Sequence, residues 1–206
     1  MPELFLASRN AKKLAEMERI LAPLVPQVRV LGLDDVAAYD EPVEDQPDFA
    51  GNALLKARAG VAATGLPSVA DDSGLCVDAL NGMPGVLSAR WSGPPKDDAR
   101  NNRLLLDQMA DVPDERRGAH FRCAVAFCHP GPDGTVVEQV VAGRMDGRIL
   151  HEVRGSGGFG YDVLFAAEGY DVTTAELSRK EKDAISHRGK ALRELAPLVA
   201  GFFAAG

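Results

Sequence analysis

Apolar positions at the start of the chain change their period twice. "ELFLA", residues 3–7, is a short continuous apolar run of the kind a buried strand makes. "AKKLAEMERIL" then sets Leu14, Met17 and Leu21 on one helical face, so a strand, the tight loop "SRN" and a helix are predicted. "QVRVLGL" reads as a second strand, followed by the acidic, proline-bearing loop "DEPVEDQPD" and a helix over about 49–63. "LPSVADDSGLCVDAL" predicts a strand, an acidic break and another strand, and "NGMPGVLSARWSGPP" holds too many breakers for regular structure. A helix over 99–109 would turn Leu104, Leu105 and Met109 inward. "AHFRCAVAFCHPGPDGTVVEQVVAGRMDGRIL" is two β-rich runs around the turn "PGPDG", an antiparallel hairpin. "YDVLF" is a further run of strand type and "AAEGYD" a turn; "SRKE" is a capping box built on Ser178 and Glu181. "SHRGKALRELAPLVAGFF" predicts a last helix, bent near Pro197. The sum is a mixed α/β protein with helices on the faces of a sheet.

Composition narrows the partners. At 206 residues and 46% hydrophobic the chain makes one domain, with room for two lobes around a proper core. A formal net charge of -7 argues against non-specific binding to nucleic acid or acidic membranes, so an anionic ligand would need locally placed cations. Cys76, Cys123 and Cys128 are an odd number without C-x-x-C spacing, which fits core packing in a reduced cytosol. "MPELFLASRN" lacks the basic region of a signal peptide, and no apolar run approaches the ~20 residues of a membrane span. A cytoplasmic location follows as the expectation.

"GSGGFGYD", residues 155–162, contains G-x-G-x-x-G. A phosphate-binding loop of that pattern needs a strand before it and a helix directly after it, and a strand-type run follows here instead. The position that a kinase glycine loop gives to Val carries Asp162, and no V-A-I-K strand follows.

Three clusters carry chemistry. "SRNAKK", Ser8 to Lys13, sits where a strand enters a helix; Ser8 and Asn10 can cap, backbone N–H groups are open, and Lys12 and Lys13 add charge, which suits an anion as well as it suits a capped, solvated helix start. "ADDSG" frames Asp71, Asp72 and Ser73 between apolar runs. Adjacent carboxylates point to different sides, so one can ligate Mg²⁺ while the other supports it or takes a proton, and Glu44 offers a further oxygen ligand. "EKDAISHRGKAL" gathers Lys182, His187 and Arg188, which a continuous helix would not converge; a break near Ser186 is required. Hard oxygen ligands together with anion-binding cations are what a magnesium-dependent nucleotide or phosphoryl enzyme requires.

"SRNAKK", "FAGNALLKA", "ADDSGLCVDALNGMPGVLSARWSG", "GSGGFGYDVLF" and "TAELSRKEKDAISHRGKAL" stand in the order and spacing of the inosine triphosphate pyrophosphatase family, which the chain resembles over essentially its whole length. The resemblance implies a mixed central sheet flanked by helices, in two lobes with the active-site cleft between them, and a homodimer. It also implies Mg²⁺-dependent hydrolysis of non-standard purine nucleoside triphosphates (ITP, dITP, XTP) to monophosphate and pyrophosphate. Carried onto this sequence, Ser8, Arg9, Asn10, Ala11, Lys12 and Lys13 resemble the triphosphate-binding element, with Lys13 on phosphate. Glu44 and Asp72 resemble the metal ligands, Asp72 being also the general base and Asp71 its support. Lys56 resembles a cation facing the phosphates and Ser73 a substrate contact. Phe159, Gly160, Tyr161 and Asp162 resemble the base pocket, with Lys182, His187 and Arg188 as its polar wall.

The chain departs from that pattern at Arg9, where the family often has Gly, and at Gly51, where an acid is common before "NA"; Gln46 and Asp48 alter the loop after Glu44, and Val163 replaces a usual proline. Two other functions are compatible with parts of the pattern. A non-catalytic nucleotide sensor would have no use for "ADDSG", and a pyrophosphatase of related fold acting on other modified nucleotides would not need the "SHR" block.

Overall fold

The computed structural model describes residues 1–205. Along them run β1 (Glu3–Leu6), α1 (Ala11–Leu21), β2 (Arg29–Leu31), α2 (Phe49–Thr64), β3 (Ser68–Val77), α3 (Asp98–Gln108), β4 (Gly118–Pro130), β5 (Val136–Ile149), β6 (Phe165–Ala167), α4 (Arg179–Ile185) and α5 (His187–Ala205). The strands form one sheet in the order β2-β1-β3-β4-β5-β6. It is mixed: β1 is parallel to β2 and to β3, with Phe5 opposite Ser68, whereas β5 and β6 are antiparallel, with Arg148 opposite Ala166. β4 and β5 follow one another across the turn predicted at "PGPDG", where Gly131 N–H donates to the Thr135 carbonyl at 2.7 Å.

Two compact units divide the chain. The first takes Met1–Asp72, Cys123–Gly143 and the chain from Arg188 onward; the second takes Ser73–Arg122 and Arg144–His187. In the first, Leu4 and Leu6 of β1 meet Met17 and Leu21 of α1, Val125 and Phe127 of β4, and Leu192 and Leu195 of α5. Alternation along the strands and the 3–4 spacing along α1 bring these side chains to one core. The second core joins Leu75 and Val77 of β3, Leu105 and Met109 of the α3 end, and Phe121, Met145 and Phe165. The three cysteines are free and buried, and burial pushes the Cys128 thiol up to about 11 and that of Cys123 higher still, as expected of packing groups.

Three local expectations are corrected. β3 runs unbroken through "ADDSG", because the carboxylates find cations at both faces and need no solvent-facing turn. The strand expected at "YDVLF" lies later, at Phe165–Ala167; residues 161–164 form a turn held by Leu164 N–H on the Tyr161 carbonyl at 2.9 Å. The breaker-rich connection contains a short 3-10 helix, Gly85–Arg90. α5 continues through Pro197. The Ser178–Glu181 capping box is present, with Glu181 N–H donating to Ser178 Oγ at 3.3 Å and Ser178 N–H to Glu181 Oε2 at 3.0 Å.

Candidate active site

The first unit holds a buried network of alternating charge. Asn10 caps α1, its Oδ1 accepting from Lys12 N–H at 3.1 Å and from Lys13 N–H at 3.2 Å. Lys13 and Glu16, three positions apart and so neighbours on the helix, both enter the network. Lys13 Nζ is 3.2 Å from Asp71 Oδ2. Arg188, at the start of α5, donates to that same oxygen and through NH1 to Glu16 Oε2 at 2.7 Å. Asp71 is 1% and Arg188 2% exposed. An unpaired charge at that depth costs several kcal/mol, roughly, which is why each is matched. Burial would raise the Asp71 pKa, but Lys13, Arg188 and Lys56 outweigh it and hold the carboxyl far below its ordinary range. Burial likewise works against the Arg188 charge and is overcome by Asp71 and Glu16.

Asp72 uses the other face of β3, as alternation along a strand requires. Asn52 and Lys56 stand one turn apart on α2. Asn52 Nδ2 donates to Asp72 Oδ2 at 3.0 Å; Lys56 Nζ lies 2.5 Å from Glu44 Oε1 and 3.8 Å from Asp72 Oδ1. Burial works against the Lys56 charge, but Asp71, Asp72 and Glu44 together raise its pKa. For Asp72 the balance falls the other way: desolvation exceeds the pull of Lys56, Lys13 and the Asn52 hydrogen bond, and its pKa is raised.

Glu44 belongs to the irregular segment 36–48. A Cβ on Gly51 would lie 2.7 Å from Gln46 Cβ, so the departure at Gly51 is what lets this segment lie against the first turn of α2. Gln46 N–H donates to Asn52 Oδ1 at 3.0 Å. Among the described residues no three His, Cys, Asp or Glu groups converge as a metal cage. The donor set nonetheless fits Mg²⁺, which is commonly held by one or two carboxylates with substrate phosphates and waters completing the shell. Glu44 and Asp72 are such a pair, already gathered around a cation, the Lys56 ammonium.

In the second unit the glycine loop closes on itself. Asp162 Oδ2 accepts from Phe159 N–H at 2.8 Å and from Lys182 Nζ at 2.6 Å, and its Oδ1 accepts from Thr174 Oγ1 at 2.8 Å. Lys182 Nζ is also 5.3 Å from the centre of the Phe159 ring. A Cβ on Gly158, whose φ is +68°, would fall 2.2 Å from Asp162 Oδ2, and one on Gly157 would meet the Ala175 carbonyl at 2.6 Å. The glycines serve close backbone approach beside an aromatic ring and a cation. No helix follows the loop to face a phosphate.

A protein-family model described as the Ham1 family matches residues 4–198. The chain belongs to the Ham1 family. It is 61% identical over 201 residues to the dITP/XTP pyrophosphatase of Nocardia farcinica, covering 97% of this chain and 96% of that protein, and 53% identical to that of Streptomyces coelicolor, covering 97% and 98%. The crystal structure of the nucleoside-triphosphatase / dITP/XTP pyrophosphatase from Mycobacterium abscessus matches with a TM-score of 0.75 at 54% identity, over 95% of this chain and 99% of that one. A HAM1 protein structure from Coxiella burnetii matches with a TM-score of 0.82 at 37% identity, over 98% and 100%.

Within this Ham1-family chain the structure gathers Lys13, Glu44, Lys56, Asp71, Asp72 and Arg188 in the first unit, and Phe159, Asp162 and Lys182 in the second. Several expectations change. The backbone N–H groups of Lys12 and Lys13, expected to be open, are engaged by Asn10. Arg9, expected beside phosphate, pairs with Glu41 and Tyr39. Arg188, expected in the wall of the base pocket, commits Nε, NH1 and NH2 to Asp71 and Glu16. Tyr161 is 3% exposed in the second core, its hydroxyl donating to the Ser88 carbonyl at 2.9 Å; burial pushes the phenol pKa up. Gly160 N–H donates to Asp98 Oδ2 at 2.8 Å. His187 stacks on Phe121, with ring centres 4.8 Å apart and planes 9° from parallel. Ser8 is buried, Ser73 half-buried, and Ala11 and Lys12 are exposed. The break near Ser186 is present: Ser186 is extended, with ψ of 150°, and separates α4 from α5.

Glu16 and Asn52 were not singled out from the sequence. Their signals were available, as Glu16 lies three positions from Lys13 and next to the inward-facing Met17, and Asn52 lies four positions from Lys56.

Proposed function

We propose that the protein hydrolyses non-canonical purine nucleoside triphosphates (ITP, dITP, XTP) to nucleoside monophosphate and pyrophosphate, with Mg²⁺, as a homodimer in the cytoplasm. The observation that carries the chemistry is the placement of Lys56 between Glu44 and Asp72, on the face of β3 opposite Asp71 with Lys13. Near-full-length similarity to proteins named dITP/XTP pyrophosphatases supports the substrate class.

Water attacks the α-phosphorus while Asp72 accepts a proton from it. The bond from the α-phosphorus to the α–β bridging oxygen breaks, and pyrophosphate departs with the bonding pair. Asn52 fixes the orientation of the Asp72 carboxylate through its Nδ2 hydrogen bond to Oδ2. Lys13 and Lys56 spread the charge that builds on the phosphate oxygens. Glu44 and Asp72 would hold Mg²⁺, which when bound supplies further positive charge to those oxygens. Asp71 is too buried to meet water and acts as a positioning residue through Lys13 and Arg188.

Phe159 stacks on the purine, and Lys182, oriented by Asp162, donates to the oxygen at position 6. The test is a panel of ITP, dITP, XTP, GTP and ATP assayed for pyrophosphate and, in parallel, for orthophosphate. Pyrophosphate as first product with ITP, dITP and XTP preferred is expected; primary release of orthophosphate would overturn the reading. Gel filtration coupled to light scattering tests the dimer.

A further inference from the structure

Segment 36–48 has no helix or strand, yet it is fastened at two places. Near Glu44 the fastening is Lys56, Asn52 and the space left by Gly51. Earlier in the segment it is Arg9. The Arg9 guanidinium pairs with Glu41, Nε to Oε2 at 3.2 Å, its NH2 donates to the Tyr39 carbonyl, and it lies 6.0 Å from the centre of the Tyr39 ring. That ring in turn meets Phe5 of β1 edge-on, with centres 6.1 Å apart. Arg9 thus sits in the loop that follows β1, but its fork is directed at the acidic segment.

We propose that Arg9 is a positioning residue: by fastening Tyr39 and Glu41 it presents Glu44, three positions further along, to Lys56 and Asp72, and it does so without binding phosphate itself. One exposed ion pair contributes little by itself. A rigid planar fork that combines an ion pair, a carbonyl hydrogen bond and a ring contact restrains more of the backbone than a lysine or a glycine could at this place. A segment of this length without regular hydrogen bonds otherwise opens readily. The consequence for function rests on the pyrophosphatase reading; the restraint itself does not.

Arg9→Gln, Arg9→Lys, Glu41→Gln and the double variant Arg9→Gln/Glu41→Gln test it with two measurements. The first is amide hydrogen exchange in metal-free protein, where Arg9→Gln and Glu41→Gln should speed exchange across 39–46 and leave the rest of the first unit unchanged. The second is ITP hydrolysis, where the half-saturating Mg²⁺ concentration and KM should rise by about 3- to 30-fold, the scale of one exposed ion pair plus one hydrogen bond, with kcat changing less. The double variant should be no worse than the poorer single one, and Arg9→Lys should recover only part of the loss. A higher KM in Arg9→Gln with a silent Glu41→Gln and unchanged exchange would make Arg9 a direct phosphate ligand and overturn the proposal. Unchanged exchange together with unchanged KM would also overturn it. If the wild type failed to hydrolyse ITP, the functional reading would fall while the exchange measurement still decided the restraint.

Discussion

Arg188 donates two hydrogen bonds to a single oxygen of Asp71, from Nε at 3.2 Å and from NH2 at 3.0 Å, and Lys13 reaches that same oxygen. Asp71→Asn would leave Arg188 buried with Glu16 as its remaining carboxylate. Breaking a buried pair from one side costs about 3–5 kcal/mol, so urea unfolding at neutral pH should show a loss of that order. The pH dependence has a definite sign. The folded pKa of Asp71 is depressed, so its stabilisation is complete above the ordinary aspartate pKa and lost as pH falls below it. The gap between wild type and variant should therefore narrow on going from pH 7 toward pH 3; a gap independent of pH would contradict the assignment.

Asp72 has the opposite sign. Its pKa is raised, so its carboxylate opposes folding at neutral pH in the absence of metal and ceases to do so as acid protonates it. Asp72→Asn keeps the shape and removes the charge. With chelator present, the variant should melt at a higher temperature than wild type at pH 7, and the advantage should vanish below the ordinary aspartate pKa. In the loaded enzyme the loss of the base should lower kcat by about 10²- to 10⁴-fold. A variant that retained half of the wild-type kcat would remove Asp72 from the mechanism.

In the proposed reading Lys182 faces position 6 of the purine; it can only donate, so it would favour a keto oxygen there and oppose the amino group of adenine. A mismatch that leaves a buried donor without its partner costs about 1–3 kcal/mol, or roughly 5- to 150-fold. Lys182→Ala should lower kcat/KM for ITP on that scale and bring the ITP-to-ATP ratio down, because the donor that opposes the adenine amino group is gone. Steady-state kinetics with both nucleotides checks this. An unchanged ratio would show that Lys182 does not read position 6.

Gly158 and Gly160 separate two effects of the same substitution. Both have positive φ, +68° and +62°, so alanine strains the backbone at either by about 1–2 kcal/mol. At Gly160 the new Cβ meets nothing within 4 Å, whereas at Gly158 it collides with Asp162 Oδ2 and approaches Lys182 Nζ at 3.0 Å. Thermal unfolding should show a larger loss for Gly158→Ala than for Gly160→Ala, and a higher KM for ITP should accompany the first. Equal effects on KM would mean that the Asp162–Lys182 pair does not shape the pocket.

Much of this arrangement was determined locally and could be read along the chain. Leu14, Met17 and Leu21 declare α1 by their spacing, and Ser178 with Glu181 declares the start of α4, because helix periodicity and capping depend on neighbours a few positions away. The pair Asp71 and Asp72 stood out because adjacent carboxylates are seldom placed between apolar runs without partners, whereas the stretches around Lys13 and Lys182 took their meaning from the resemblance to a known family. What the sequence could not determine was which partner. Residues 71 and 188 are far apart in sequence, and only the convergence of α1, β3 and α5 decides that Arg188 goes to Asp71 and Glu16, whose carboxylates stabilise its buried charge. The same holds for the continuity of β3. Two adjacent aspartates read as an acidic break until Lys13 and Arg188 on one face and Lys56 and Asn52 on the other give the buried carboxylates their partners. Gly51 looked like a missing carboxylate; in the tertiary structure it is the space that Gln46 occupies. Burial and long-range charge pairing are properties of the assembled unit, and they set the direction of every pKa shift at the site.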